Sequence, residues 1–216
     1  VDWMELIPKN VSERYELYNF NNAIEILYQA YPKIFHEIIF ALDSFYITHS
    51  DLIQSGGNES SIPKRLSSIL YPLKWNETKI SGDLLVKLTK RHHMKNEVVT
   101  TNFTIKDYID GHNIDYVKDR IAIDMEWNSK DQTFDRDLFA FRTYYECGIL
   151  SCGVIITRSA LLNPIFESLG PNIKKKYGAS TTWMGKLLPR LQSRRHGGCP
   201  ILVVGITPNT ISNAIS

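Results

Sequence analysis

The sequence predicts an α/β fold: a mixed β-sheet flanked by helices, with a helical N-terminal third. Three observations carry this. Apolar residues recur at three- and four-residue steps through 23–45, the period of one buried helix face. Residues 119–127 alternate apolar and acidic side chains, the period of a strand. Short apolar runs at 150–157 and 200–206, separated by helical segments, have the length of buried strands.

In chain order, Asn10 with Glu13 three residues on is the spacing of a helix cap. Ala23, Ile24, Leu27, Tyr31, Ile34, Ile38, Leu42 and Phe45 form the helical stripe, and Pro32 splits it by opening a second helix. Residues 54–62 read as a loop by composition, 64–71 as a short helix ending before Pro72, and 82–110 as mixed. Strand 119–127 places Ile121, Ile123, Met125 and Trp127 on one face and Ala122, Asp124 and Glu126 on the other. A helix at about 132–147 follows, with Phe134, Leu138, Phe141 and Tyr145 as its apolar stripe and Gly148 as its stop. Strand 150–157, a helix over 159–169 ending at Gly170-Pro171, and strand 200–206 complete the sheet.

A length of 216 residues suits a single domain, 1–216, with a mainly helical part at 1–110 and a core at 111–208. No apolar run approaches the ~18 residues of a membrane-spanning helix. Val1-Asp2-Trp3-Met4-Glu5 lacks the basic-then-apolar layout of a signal peptide. Cys147, Cys152 and Cys199 are odd in number and show no metal-binding spacing, so reduced thiols are expected. The net charge of +2 says little, but its distribution says more. Residues 1–50 carry seven acids and three bases. Residues 171–199 carry Lys174, Lys175, Lys176, Lys186, Arg190, Arg194 and Arg195 and no acid. That polarity suits a surface meeting a polyanion, although a basic stretch is also simply a solvated face.

The candidate chemistry sits at Asp115, Asp124 and Glu126. Side chains two apart on a strand project together, so Asp124 and Glu126 share a face, and Asp115 is in reach from a neighbouring strand. Gathered carboxylates repel each other, and a divalent cation removes that penalty. Hard oxygen ligands suit Mg²⁺, with Mn²⁺ able to substitute, and the backbone carbonyl of Met125 is a further candidate ligand. By pattern alone, two such acids are also what the solvent face of an amphipathic strand carries.

The segment Asp115-Tyr-Val-Lys-Asp-Arg-Ile-Ala-Ile-Asp-Met-Glu126 resembles the active-site run of the BglII/BstYI restriction endonucleases, Asp-Phe-Val-Lys-Asp-Arg-Val-Ala-Ile-Glu-Val-Gln. The resemblance covers 112–208 well and the first 110 residues poorly. It implies a restriction-endonuclease-like fold of the PD-(D/E)XK superfamily, with Asp115 and Asp124 as metal ligands. Glu126 stands where most such nucleases carry lysine, where this family carries glutamine, and where the related BamHI carries glutamate. An acid there is expected to accept a proton from the attacking water or to order that water. Lys118, Asp119 and Arg120 match the family run, with sheet-end charge as their ordinary role. A further upstream polar residue has two candidates, Glu77 and Glu97.

The resemblance further implies a cytoplasmic homodimer acting on double-stranded DNA at a short palindromic site, beside a cognate DNA methyltransferase. Phosphate and base-edge contacts are expected from the basic segment 171–199: Lys174, Lys175, Lys176, Ser180, Thr181, Thr182, Lys186, Arg190, Arg194 and Arg195. Two alternatives remain open at this point: a DNA-repair or structure-selective nuclease on the same scaffold, and a non-catalytic DNA-binding regulator.

Overall fold

The computed structural model describes residues 2–54 and 60–212, so most of the loop expected at 54–62 lies outside the described residues. In chain order the elements are α1 (Lys9–Ser12), β1 (Tyr15–Phe20), α2 (Ala23–Ala30), α3 (Pro32–Ser44), α4 (His49–Ile53) and α5 (Ser61–Leu70). Then come β2 (Asn76–His92), β3 (Glu97–Lys118), β4 (Ile121–Glu126), α6 (Thr133–Glu146) and β5 (Cys152–Arg158). Helices α7 (Asn163–Ser168), α8 (Pro171–Lys176) and α9 (Met184–Gln192) precede β6 (Ile201–Ile206). The six strands form one sheet in the order β1-β6-β5-β4-β3-β2. β4, β5 and β6 run parallel, while β1 and β3 lie antiparallel to their neighbours. The sheet is therefore mixed and flanked by helices, as the sequence predicts.

The three parallel strands are buried along their whole length. Covering both faces of a parallel sheet requires helices on each side, which is why these strands read as apolar runs. On one face Ile121, Ile123, Met125, Val154, Ile156, Leu202 and Val204 join the main core with Ile24, Leu27, Ile34, Ile38 and Leu42 of α2 and α3. On the other face lies α6, with Phe134, Leu138 and Phe141 fully buried. At Gly153 a Cβ would sit 2.4 Å from the Phe141 ring, so any side chain there would force that buried ring to shift. This glycine lets α6 lie close on β5.

Four sequence expectations change. Asn10 and Glu13 do not cap a helix; the short helix there follows Pro8, and Asn10 instead donates to Asp43 at 2.7 Å. The chain turns at once into β1, a strand that the helical reading of the N-terminal part passes over. The strand expected at 119–127 is shorter. Asp119 (φ 48°) and Arg120 (φ 76°) form the two-residue turn of a hairpin in which Lys118 pairs with Ile121. The segment 76–110 is not helical but extended.

That extended segment forms a second compact unit, Thr78–Asn113, distinct from the unit of Val1–Glu77 and Ile114–Ser216. Within it the arms of β2 and β3 are tied by a bond between the Thr89 and Thr100 hydroxyls (3.1 Å) and by Asp107 N–H donating to Asp83 (2.8 Å). Leu85, Leu88, Phe103 and Tyr108 are all exposed there.

Candidate active site

The site is built where β3 and β4 part. Their ladder runs from Lys118–Ile121 to Tyr116–Ile123. One step further, carboxylates replace the ladder bonds. The backbone N–H of Asp115 donates to Asp124 Oδ1 (2.9 Å), and the backbone N–H of Met125 donates to Asp115 Oδ2 (3.0 Å). Asp115 thus does reach Asp124 from the neighbouring strand. Each carboxylate is fixed by the main chain of the opposite strand, so the pair is held before any ligand arrives.

The alternation on β4 is as predicted: Ile121, Ile123, Met125 and Trp127 point into the main core, and Asp124 and Glu126 point to the α6 side. That side is not solvent, since Asp124 is 3% and Glu126 7% exposed. Among the described residues, Asp124 Oδ2 and Glu126 Oε2 are buried without a hydrogen-bond partner. Burial, compounded by Asp137 and Asp115, holds Asp124 protonated well above the usual carboxylate range. Glu126 is pushed up to about 8, by burial first and by the charge of Asp137 second. Asp115 is an exposed residue of β3, yet desolvation of its carboxyl by the groups around it raises it against the opposing pull of the Met125 N–H, with Asp137 and Glu77 adding repulsion. An acid that must stay protonated to be buried is an acid short of a cation.

Asp137, which the sequence reading omits, belongs to this site. It lies on α6, is wholly buried, and is the strongest charged neighbour of both Asp124 and Glu126. Arg136 Nη2 stands 3.3 Å from Asp137 and 3.9 Å from Glu126 Oε1, bridging the two from an exposed position. The signal was present in the sequence. Asp137 falls three residues after Phe134 and four before Phe141, inside the apolar stripe of the helix, where an acid has no reason to be unless something compensates it. Of the two upstream candidates, Glu77 acts on Asp115, whereas Glu97 belongs to the Thr78–Asn113 unit.

Among the described residues no three carboxylate, imidazole or thiolate groups stand ready as a metal cage. The donor set nevertheless fits a hard divalent ion. Asp124 Oδ2 and Glu126 Oε2 are buried, unpartnered carboxylate oxygens on one face, and the main chain holds Asp115 beside them.

The basic segment meets the site through its loops. Lys130 pairs with Thr181 as an antiparallel bridge. The Thr182 hydroxyl accepts from the N–H groups of Asn128 (3.0 Å) and Ser129 (3.1 Å), and Ser180 O accepts from Asp131 N–H. The segment after Glu126 is therefore fastened to the 178–182 loop. Several of the residues expected to contact DNA also have partners within the chain. Arg190 grips Asp135 with two bonds of 3.0 Å, Arg195 also pairs with Asp135, and Lys186 lies 3.9 Å from Asp131. Lys176 donates to Leu52 O and Gln54 O, and Lys174 pairs with Glu167 at 2.8 Å. Thr182 is wholly buried. Lys175, Ser180 and Arg194 are exposed.

A six-stranded mixed sheet flanked by helices, with acids gathered where β3 and β4 part, is consistent with a restriction-endonuclease-like fold. The chain belongs to the restriction endonuclease BglII/BglIII family, whose match spans residues 15–206, most of its length. It is thus a member of a nuclease family acting on DNA. Comparison with curated proteins finds no match.

Proposed function

We propose that this protein is a homodimeric, Mg²⁺-dependent type II restriction endonuclease that hydrolyses both strands of duplex DNA at a short palindromic site. The observation that carries this reading is the pair of buried, unpartnered oxygens on Asp124 and Glu126 beside a main-chain-anchored Asp115. Asp115 and Asp124 would hold the ion, with the Met125 carbonyl as a further ligand. A bound Mg²⁺ supplies a water of lowered pKa and stabilises charge on a phosphoryl oxygen.

The chain's own residues do the rest. Glu126 orders the attacking water and takes its proton, which its raised affinity for protons suits. Asp137 adds negative charge behind the pair and so strengthens the hold on a cation. Arg136 limits the repulsion between Glu126 and Asp137. Lys175 and Arg194, exposed in the basic segment, contact phosphates. The joined loops 128–131 and 178–182 present backbone and hydroxyl groups to base edges. Two-fold symmetry of the dimer matches two-fold symmetry of the site. The protein works in the cytoplasm beside a methyltransferase that protects the same site.

The test is digestion of a fully sequenced duplex with Mg²⁺, followed by mapping of fragment ends. Discrete fragments ending at one palindrome are expected. Smearing, or cleavage only at flaps and mismatches, would favour a repair nuclease, and specific binding without cleavage in Mg²⁺ or Mn²⁺ would favour a regulator.

A further inference from the structure

The other face of the sheet hides a charge of opposite sign. Arg158 ends β5, one residue beyond Thr157, which lies opposite Glu126 in the parallel register. Its side chain follows Val154 and Ile156 onto the main-core face, away from the acids. Arg158 is 1% exposed, and among the described residues it has no carboxylate partner. Its Nη2 donates to Tyr177 O (3.0 Å) and to the Thr181 hydroxyl (2.5 Å), and Phe166 and Tyr177 lie against the guanidinium at 5.6 Å. Its Nε is buried without an acceptor among the described residues. Burial lowers even this guanidinium's hold on its proton, to about 10.

Carbonyl dipoles and aromatic faces soften the cost of a buried, permanently charged group, but they do not neutralise it. Arg158 lines a pocket of about 180 Å³ together with Trp183, Gly178, Lys174 and Glu167. The Trp183 indole N–H is a second buried donor without an acceptor among the described residues. Arg158 and Trp183 both line this pocket, and each carries a buried donor unpartnered among the described residues; together they point to an acceptor ligand, and the guanidinium charge makes that ligand an anion. The one acid on the wall, Glu167, is neutralised by Lys174 at 2.8 Å.

We propose that this pocket is an oxyanion site that receives a backbone phosphate of the DNA duplex. The pocket as an oxyanion site stands by itself; the duplex as the source rests on the nuclease reading. Occupancy also has a route to the acids. Arg158 holds the loop from Tyr177 to Thr181, and the next residue, Thr182, fixes the N–H groups of Asn128 and Ser129 just after Glu126. A phosphate seated here therefore sets the segment that follows the catalytic strand.

The experiment uses the full chain without metal, so that nothing is cut. Melting is followed against inorganic phosphate, with chloride at matched ionic strength as the reference. Trp183→Phe removes one donor and keeps the ring, and Ala179→Glu sets an acid at the rim; ligand-free melting checks that both fold. Phosphate at about ten times its Kd should raise the wild-type melting temperature by about 3–5 °C beyond chloride, with most of that lost in both variants. Ala179→Glu should also weaken binding of a short duplex about tenfold and lower its salt slope by about one, with phosphate competing against the duplex. If the variants lose phosphate but bind duplex as the wild type does, the oxyanion site stands and its ligand is free phosphate rather than DNA. If phosphate stabilises no more than chloride, or the variants respond as the wild type does, the pocket holds only water and the proposal is overturned.

Discussion

The two faces of the sheet at the ends of β4 and β5 carry opposite faults. On the α6 side, Asp124, Glu126 and Asp137 press like charges together out of water, with the exposed Asp115 held beside them by the Met125 N–H. On the main-core side, Arg158 stands buried and, among the described residues, without a carboxylate partner. Folding alone rewards neither arrangement, since each leaves polar atoms without partners. The difference lies in what resolves them. On the proposed reading, the acids answer to a small hard cation, whereas the guanidinium and the Trp183 N–H answer to an oxyanion. Both lie near the two joined loops, so one duplex and its ion could satisfy both.

The comparison is most sharply tested on the acid side. Asp124→Ala should reduce cleavage of a mapped duplex by about 10³-fold or more, with binding of uncut duplex changed only a few-fold, as expected of a group needed for chemistry and not for docking. Cleavage retained at matched folding would remove the site assignment.

Asp137→Asn should reduce cleavage about 10- to 100-fold, with the Mg²⁺ concentration for half-maximal rate moved upward, because it supports the ion without being the reacting group. An unchanged Mg²⁺ dependence would make Asp137 a packing residue only.

Glu126 links the acid face to pH. Its affinity for protons in the fold exceeds that of an ordinary glutamate, with a pKa of about 8 against 4.5. Such a group contributes its full stability below the lower value and loses that contribution as pH rises through the upper one. Metal-free wild type should therefore weaken between pH 5 and pH 9, and Glu126→Gln should flatten that loss by about 1–3 kcal/mol at the alkaline end in urea melts. Parallel curves for the two proteins would show that the acid face carries no such tension.

The smallest effect belongs to charges that are already satisfied. Arg190 is mostly buried on Asp135. Arg190→Ala should cost about 1–2 kcal/mol of stability and change the salt slope of duplex binding by less than Lys175→Ala does.

What the sequence disclosed follows the same division between buried and exposed. β4, β5 and β6 are covered on both faces, so their apolar runs are readable, and with them the shared face of Asp124 and Glu126. β2 and β3 extend through the Thr78–Asn113 unit, where Leu85, Phe103 and Tyr108 stay exposed and no apolar period is imposed. Asp137 was hidden because a helical stripe was read by its apolar members. Arg158 was hidden because a base after a strand looks like a sheet-end charge until its burial is known. The basic run 171–199 is less free than its composition suggests, for a related reason. The acids that bind Lys186, Arg190 and Arg195 are Asp131 and Asp135, some 50–60 residues earlier, and composition within the run does not show them.

The most direct measurement is melting of the DNA-free protein with and without Mn²⁺, at pH 6 and pH 8, for wild type and Asp124→Asn. The account predicts that Mn²⁺ raises the wild-type melting temperature, and more so at pH 8, where protons no longer shield the acids. Asp124→Asn should start out more stable and gain little from the metal. Equal gains in both proteins, or none in the wild type at either pH, would contradict a cation-seeking carboxylate site.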